Sequence, residues 1–193
     1  MMQEVDLHVT PRTKGFQCST LLAEIRVPPP IGSLLFVNHK PSWPVDLEVE
    51  RELQAVAAVR AIEDLVARSD LHVVLVGDFD AAPDSASIQS FTGRRISHGR
   101  AVCYRDAWEY TNARSSGHTF SPRNPLVLSG SLAPTHGRRI DYILVRCIDR
   151  VPTLEVAECV LAFSEPVDGV WASDHFGVLA DLTVHGPPGV GQT

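Results

Sequence analysis

One run of residues, apolar until it meets two acids, constrains this chain more than any other stretch. Leu71-His72-Val73-Val74-Leu75-Val76 is almost wholly aliphatic and leads into Gly77-Asp78-Phe79-Asp80-Ala81-Ala82-Pro83. A short apolar run that stops at Gly and Pro predicts a strand covered on both faces. Gly77 ends it, and Pro83 keeps the chain from continuing extended. Asp78 and Asp80 stand two apart, so a strand carried through them points both carboxylates to the same side. Two acids at the end of a central strand are costly to bury unless they are paired or bind a cation. A lone Gly-Asp after a strand is equally a capping turn, so chemistry at this point needs other residues to converge on it.

The surrounding pattern alternates strands with helices. Val5, Leu7 and Val9 alternate with polar residues and predict a strand, Pro11 to Gly15 a turn, and Gln17 to Val27 a second strand. Pro28-Pro29-Pro30-Ile31-Gly32 cannot join a ladder and reads as a hairpin-like loop. Leu34 to Val37 is a third strand that delivers Asn38-His39-Lys40-Pro41. From Val45 to Asp70 there is neither Gly nor Pro, and Leu53, Val56, Val59, Ile62 and Val66 recur at helical spacing. Acids near the start (Asp46, Glu48, Glu50) suit the helix dipole, and the whole reads as a core-packing helix with a solvated face.

Beyond the acidic strand, Asp84 to Phe91 predicts a short helix, Thr92 to Arg100 a loop, and Cys103 to Tyr110 a further helix. Ser115 to Pro134 reads as a long loop, and long loops inside compact domains tend to carry function. His118 and His136 lie in or near it and, singly, read as surface residues. Ile140 to Val145, Leu154 to Phe163 and Leu179 to Val184 predict the remaining strands. Strand, long helix, strand is a βαβ-like order, which makes the class α/β. Residues 1–185 are expected to form a single domain, and the Gly/Pro-rich tail 186–193 to be disordered.

Net charge of −6 argues against bulk adhesion to nucleic acid or to an anionic surface, although a bound divalent cation would still admit a phosphorylated substrate. No stretch has the pattern of a signal peptide or the length of a membrane span. The four cysteines (Cys18, Cys103, Cys147, Cys159) form no Cys-x-x-Cys and read as reduced and buried, the expectation for a cytoplasmic protein with no membrane partner. No Gly-x-Ser-x-Gly elbow supports a serine nucleophile, and no cysteine has a His neighbour in sequence.

Four separated segments place acids or His at strand edges: Val37-Asn38-His39, Gly77-Asp78-Phe79-Asp80-Ala81-Ala82-Pro83, Arg139-Ile140-Asp141-Tyr142-Ile143 and Ser173-Asp174-His175-Phe176. In order and residue type they resemble the endonuclease/exonuclease/phosphatase family, and the resemblance runs from about residue 16 to residue 184. It implies a deoxyribonuclease-I-like α/β sandwich, mainly antiparallel sheets flanked by helices, and hydrolysis of a phosphoester by water with Mg2+ or Mn2+. Carried onto this chain, Asp78 is the general base, and His175 paired with Asp141 meets the phosphoryl group. His39 bonds a phosphate oxygen or assists the leaving group, and Asp174 helps hold the metal.

Two departures from the family pattern stand out. Asp80 occupies a position where the family usually has Asn, whose amide can donate to a phosphate oxygen as a carboxylate cannot. Asp80 is therefore read as an additional metal ligand beside its catalytic neighbours. Roughly the first third of the family domain, with its metal-binding Glu, also lacks a counterpart, so the chain reads as the carboxy-terminal portion. Gln3-Glu4-Val5 mimics the motif around that Glu, but Glu4 is expected to be an exposed strand-edge acid. Missing strands would expose sheet edge and invite self-association. The substrate is expected to be a small-molecule or nucleic-acid phosphoester, the small one being favoured. Arg94-Arg95 and Arg138-Arg139 could meet phosphate or be merely solvated. The alternative reading is a remnant that binds a ligand or partner without turnover.

Overall fold

The computed structural model describes residues 1–67, 71–96, 99, 101–130 and 134–185. The expectation about residues 186–193 lies outside them. The acidic strand is the centre of a mixed sheet. Strand β1 (Met2–Asp6), β2 (Ser19–Arg26), β3 (Ser33–Lys40), β4 (His72–Asp78), β5 (Tyr104–Asp106) and β6 (Asp141–Ile148) lie in the order β1-β2-β3-β4-β6-β5. The short β7 (Val151–Pro152) pairs with β6 and completes a seven-stranded sheet. β3 and β4 are parallel, joined by helix α1 (Glu48–Val66), and every other pairing in this sheet is antiparallel. A parallel neighbour needs a crossover, and the Gly- and Pro-free run supplies it.

Each face of the sheet has its own core. Residues 35 and 37 of β3, 73 and 75 of β4, and 142 and 144 of β6 pack under Ala55, Ala58, Val59 and Ile62 of α1 and Ile88 and Phe91 of α2 (Ala86–Phe91). The alternate residues Val74 and Val145 face a two-stranded antiparallel sheet of β8 (Glu155–Ala162) and β9 (Gly177–Thr183), with Val156 and Cys159 between. β4 is thus apolar on both sides, as its sequence requires.

Three sequence expectations are corrected. The segment from Cys103 is not one helix: Tyr104–Asp106 is the edge strand β5, and helix α3 (Ala107–Thr111) begins only after Asp106, whose side chain accepts from the Glu109 amide. Pairing with β6 overrides the weak helical pattern there. The Ser115–Pro134 loop contains helix α4 (Pro125–Ser129) and an isolated bridge from Phe120 to both Arg138 and His175. The stripe of α1 is interrupted by buried Glu50, Arg51 and Gln54. Arg51 donates to the carbonyls of Ser42, Pro44 and Val45, and Gln54 binds Ser42 and the Leu7 carbonyl. Glu50 accepts from Arg12, and the bonds of Arg51 and Gln54 to Ser42, Pro44 and Val45 fix the segment that follows β3.

Candidate active site

The end of β4 and the start of β6 meet in register, so Asp78 and Asp141 are directly opposite each other. Strand alternation puts both on the face away from α1. Gly77 precedes this pair at φ +144, and a Cβ there would lie 2.2 Å from the His39 carbonyl oxygen, so glycine is required for β3 and β4 to approach. His175 arrives from the loop before β9. Its Nδ1 donates to Asp141 Oδ2 at 2.9 Å. Asp78, Asp141 and His175 each offer a ligand atom within 4.8 Å of the others, and no other such group of His, Cys, Asp or Glu occurs among the described residues.

The electrostatics follow from this crowding. Burial alone would lower the His175 pKa, but the hydrogen bond and charge of Asp141, helped by Asp78 and Asp174, outweigh it and raise the value. Burial, then the Asp78 charge, raise Asp80 against the pull of Lys40. Lys40 is raised in turn: burial opposes its charge, yet the carboxylates of Asp78 and Asp80 prevail. Its Nζ donates to Asp78 Oδ2 at 2.7 Å and to Asp80 Oδ2.

Of the residues picked from sequence, the structure brings Asp78, Asp141 and His175 together, and Asp80 reaches the same place by a different route. The strand stops at Asp78, Phe79 turns into the core, and Asp80 adopts φ +51. Its carboxylate is already engaged by Lys40 and lies outside the three-residue group, so it is not positioned as a free metal ligand. Asp174 is exposed, also outside the group, and lines the same cleft. Glu4, in β1 opposite Leu21, is exposed and absent from the cluster.

His39 lies apart from these residues. It is 1% exposed, faces α1 with Leu35 and Val37, bonds the Thr20 hydroxyl at 2.7 Å and packs tilted on Phe79 and edge-on to Phe91. Burial drives its pKa down to about 3. A neutral imidazole on the wrong face of β3 cannot reach a substrate at Asp78. The same alternation delivers Lys40 instead, the start of the segment Lys40 to Pro44 where the sequence suggests specificity, although no role at Asp78 was assigned to it. The basic pairs divide as well. Arg139 is buried on Asp106 at 2.6 Å and stacks over Tyr142, whereas Arg138 donates to the Asp80 carbonyl at the cleft. Arg94 and Arg95 pair with Glu109 and Glu52.

Two further residues build the site without a sequence signal of their own. The Thr119 hydroxyl accepts from the amides of Ile140 and Asp141, and its carbonyl accepts from the Phe176 amide. Phe120 packs at a tilt against the His175 ring, 5.0 Å between centroids. Together they hold His175 against Asp141. The cleft in front has a volume of about 570 Å3. Trp43, Val45, Phe120, Leu126 and Val127 give it an apolar wall facing Asp80, Asp174 and His175.

Residues 4–175 match the model of the Endonuclease/Exonuclease/phosphatase family. The chain belongs to that family. Solved structures agree on the fold. A truncated TDP2 of Caenorhabditis elegans superposes with a TM-score of 0.68 at 15% identity, covering 95% of this chain and 65% of that one. The human Nocturnin catalytic domain, solved with bound sulfate, gives 0.66 at 13% identity, covering 96% and 59%. A mannosyl-6-phosphatase of Bacteroides thetaiotaomicron gives 0.68 at 18%, covering 95% and 66%. The chain thus spans less than two thirds of the length of these structures. No curated protein matches it. No helix among the described residues is long and apolar enough to cross a membrane.

The donor set suits a hard divalent cation. Two carboxylates face each other at one strand end beside an imidazole, and Mg2+ or Mn2+ takes such oxygens with water completing the shell. Asp78 and Asp141 are the residues that would hold it.

Proposed function

We propose that this family member is a divalent-metal-dependent phosphoester or phosphodiester hydrolase. The observation that carries the reading is the convergence of Asp78, Asp141 and His175 within 4.8 Å, with His175 also lining the adjoining cleft. When bound, the cation supplies Lewis-acid polarisation of phosphoryl oxygens. Asp78, its carboxylate oriented by Lys40 and by the Asp80 amide, takes the proton of the attacking water. His175, kept protonated by Asp141, donates from Nε2 to the phosphoryl group and offsets the charge that develops there. Asp174 adds a carboxylate at the cleft mouth.

The apolar wall at Trp43 and Val45 and the net charge of −6 favour a small phosphoester over long nucleic acid. A cytoplasmic location belongs to the same proposal and is supported by four free cysteines. The test is turnover of a generic aryl phosphodiester with Mg2+ or Mn2+, and with EDTA. Metal-dependent activity is expected, reduced at least about 100-fold in Asp78→Asn and in His175→Ala. A folded, monodisperse chain without turnover would make it a binding protein instead.

A further inference from the structure

We propose that Lys40 is the residue that grips a phosphoryl oxygen beside the Asp78–Asp141–His175 group, and that Asp80 is its tether. The inference rests on the phosphoester reading above and deepens it. Lys40 closes β3 on the face that carries Asp78, two residues beyond the Asn38–Val76 pair of the parallel ladder. An ammonium has three N–H donors. Two are spent on Asp78 and Asp80, and no third acceptor is found among the described residues. The side chain keeps 40% of its surface exposed, so the third donor is open to a ligand.

The tether explains the acid at position 80. A carboxylate there cannot donate to a phosphate oxygen, so an anionic substrate would meet repulsion from Asp80 alone. Joined to Lys40, the pair presents an ammonium in place of an amide. The loop is held on both sides to do this: the Asp80 amide donates to Asp78 Oδ1 at 3.1 Å, and Arg138 donates to the Asp80 carbonyl at 3.2 Å. A lysine so fixed has already lost the rotamer freedom it would otherwise lose on binding. The opposing possibility is that Lys40 merely fills a cation site by neutralising Asp78. The two make opposite forecasts when the ammonium is removed.

The experiment is calorimetric titration of the full chain with inorganic phosphate, in Mg2+ and again in EDTA. Mn2+ affinity is read separately by electron paramagnetic resonance in phosphate-free buffer. Lys40→Met is expected to weaken phosphate about tenfold or more in both buffers, the loss of one charge-assisted hydrogen bond, without weakening Mn2+. Lys40→Arg keeps phosphate within about threefold. Lys40→Gln stands in if Lys40→Met does not fold by circular dichroism. Unchanged phosphate affinity in folded Lys40→Met or Lys40→Gln overturns the proposal, as does a wild-type chain with no saturable phosphate binding in either buffer. Tighter Mn2+ with unaltered phosphate identifies Lys40 as the filler of a cation site. Absent hydrolysis alongside Lys40-dependent phosphate binding removes only the hydrolase reading. Intact hydrolysis with Lys40-indifferent phosphate binding removes only this one.

Discussion

His39 shows how one residue can carry the right motif and sit on the wrong side. Buried and neutral, its ring titrates at about 3 in the folded chain and near 6.5 when exposed. Between those values the unfolded chain binds the extra proton, so the stability tied to this residue is whole above pH 6.5 and is lost as pH falls. The slope reaches about 1.4 kcal/mol per pH unit. Urea midpoints at pH 7.5 and 4.5 should therefore differ by about 2–3 kcal/mol more in the wild type than in His39→Asn. Equal differences in the two proteins would refute a buried neutral imidazole. Gly77 is the second residue with a sharp expectation. Its φ of +144 and the 2.2 Å approach to the His39 carbonyl leave no space for Cβ. Gly77→Ala is expected to lower stability by more than about 2 kcal/mol, measured by chemical denaturation.

At the scale of elements, β6 is anchored at its start by a buried pair whose arginine the sequence left as either phosphate-facing or solvated. Arg139 and Asp106 are 7% and 3% exposed and 2.6 Å apart, tying the start of β6 to the end of β5. Arg139→Met strands a buried carboxylate and should cost about 3–5 kcal/mol, while Arg139→Met with Asp106→Leu should recover most of it. Thermal unfolding of the three proteins decides, and a cheap single variant would mean that Asp106 is solvated after all. Helix α1 and strands β2, β3, β4, β6, β8 and β9 were readable because each carries a long period of 3.6 or 2, or an unbroken apolar run. β5 was not, because three residues are too few to show a period and its pairing partner is forty residues away in the chain.

For the whole molecule, the sheet is covered fully on one face and partly on the other. α1 and α2 shield Leu22, Leu35 and Val37, whereas Leu21, Ile25 and Phe36, on the opposite face of β2 and β3, keep 39%, 38% and 36% of their surface exposed. A patch of that kind binds apolar dyes in the native state. Anilinonaphthalene sulfonate fluorescence is expected to rise on adding the folded chain and to fall in Leu21→Lys/Phe36→Lys, with far-ultraviolet circular dichroism unchanged; equal fluorescence would place the dye elsewhere.

The candidate site was legible in outline from sequence. Asp78, Asp141 and His175 could be named because carboxylates and imidazoles at the ends of apolar strands are chemically conspicuous. The α/β class and the family membership followed from the same motifs and their order. What chain order could not decide was the facing of each side chain. A shift of one position along β3 exchanges the core for the opposite face, and only the paired register of β2, β3 and β4 determined that His39 is interior and Lys40 on the side of Asp78. The same holds for Thr119, Phe120 and Asp80. Their roles depend on partners distant in sequence, brought close by a sheet whose hydrogen bonds and two cores exist only once the chain has folded.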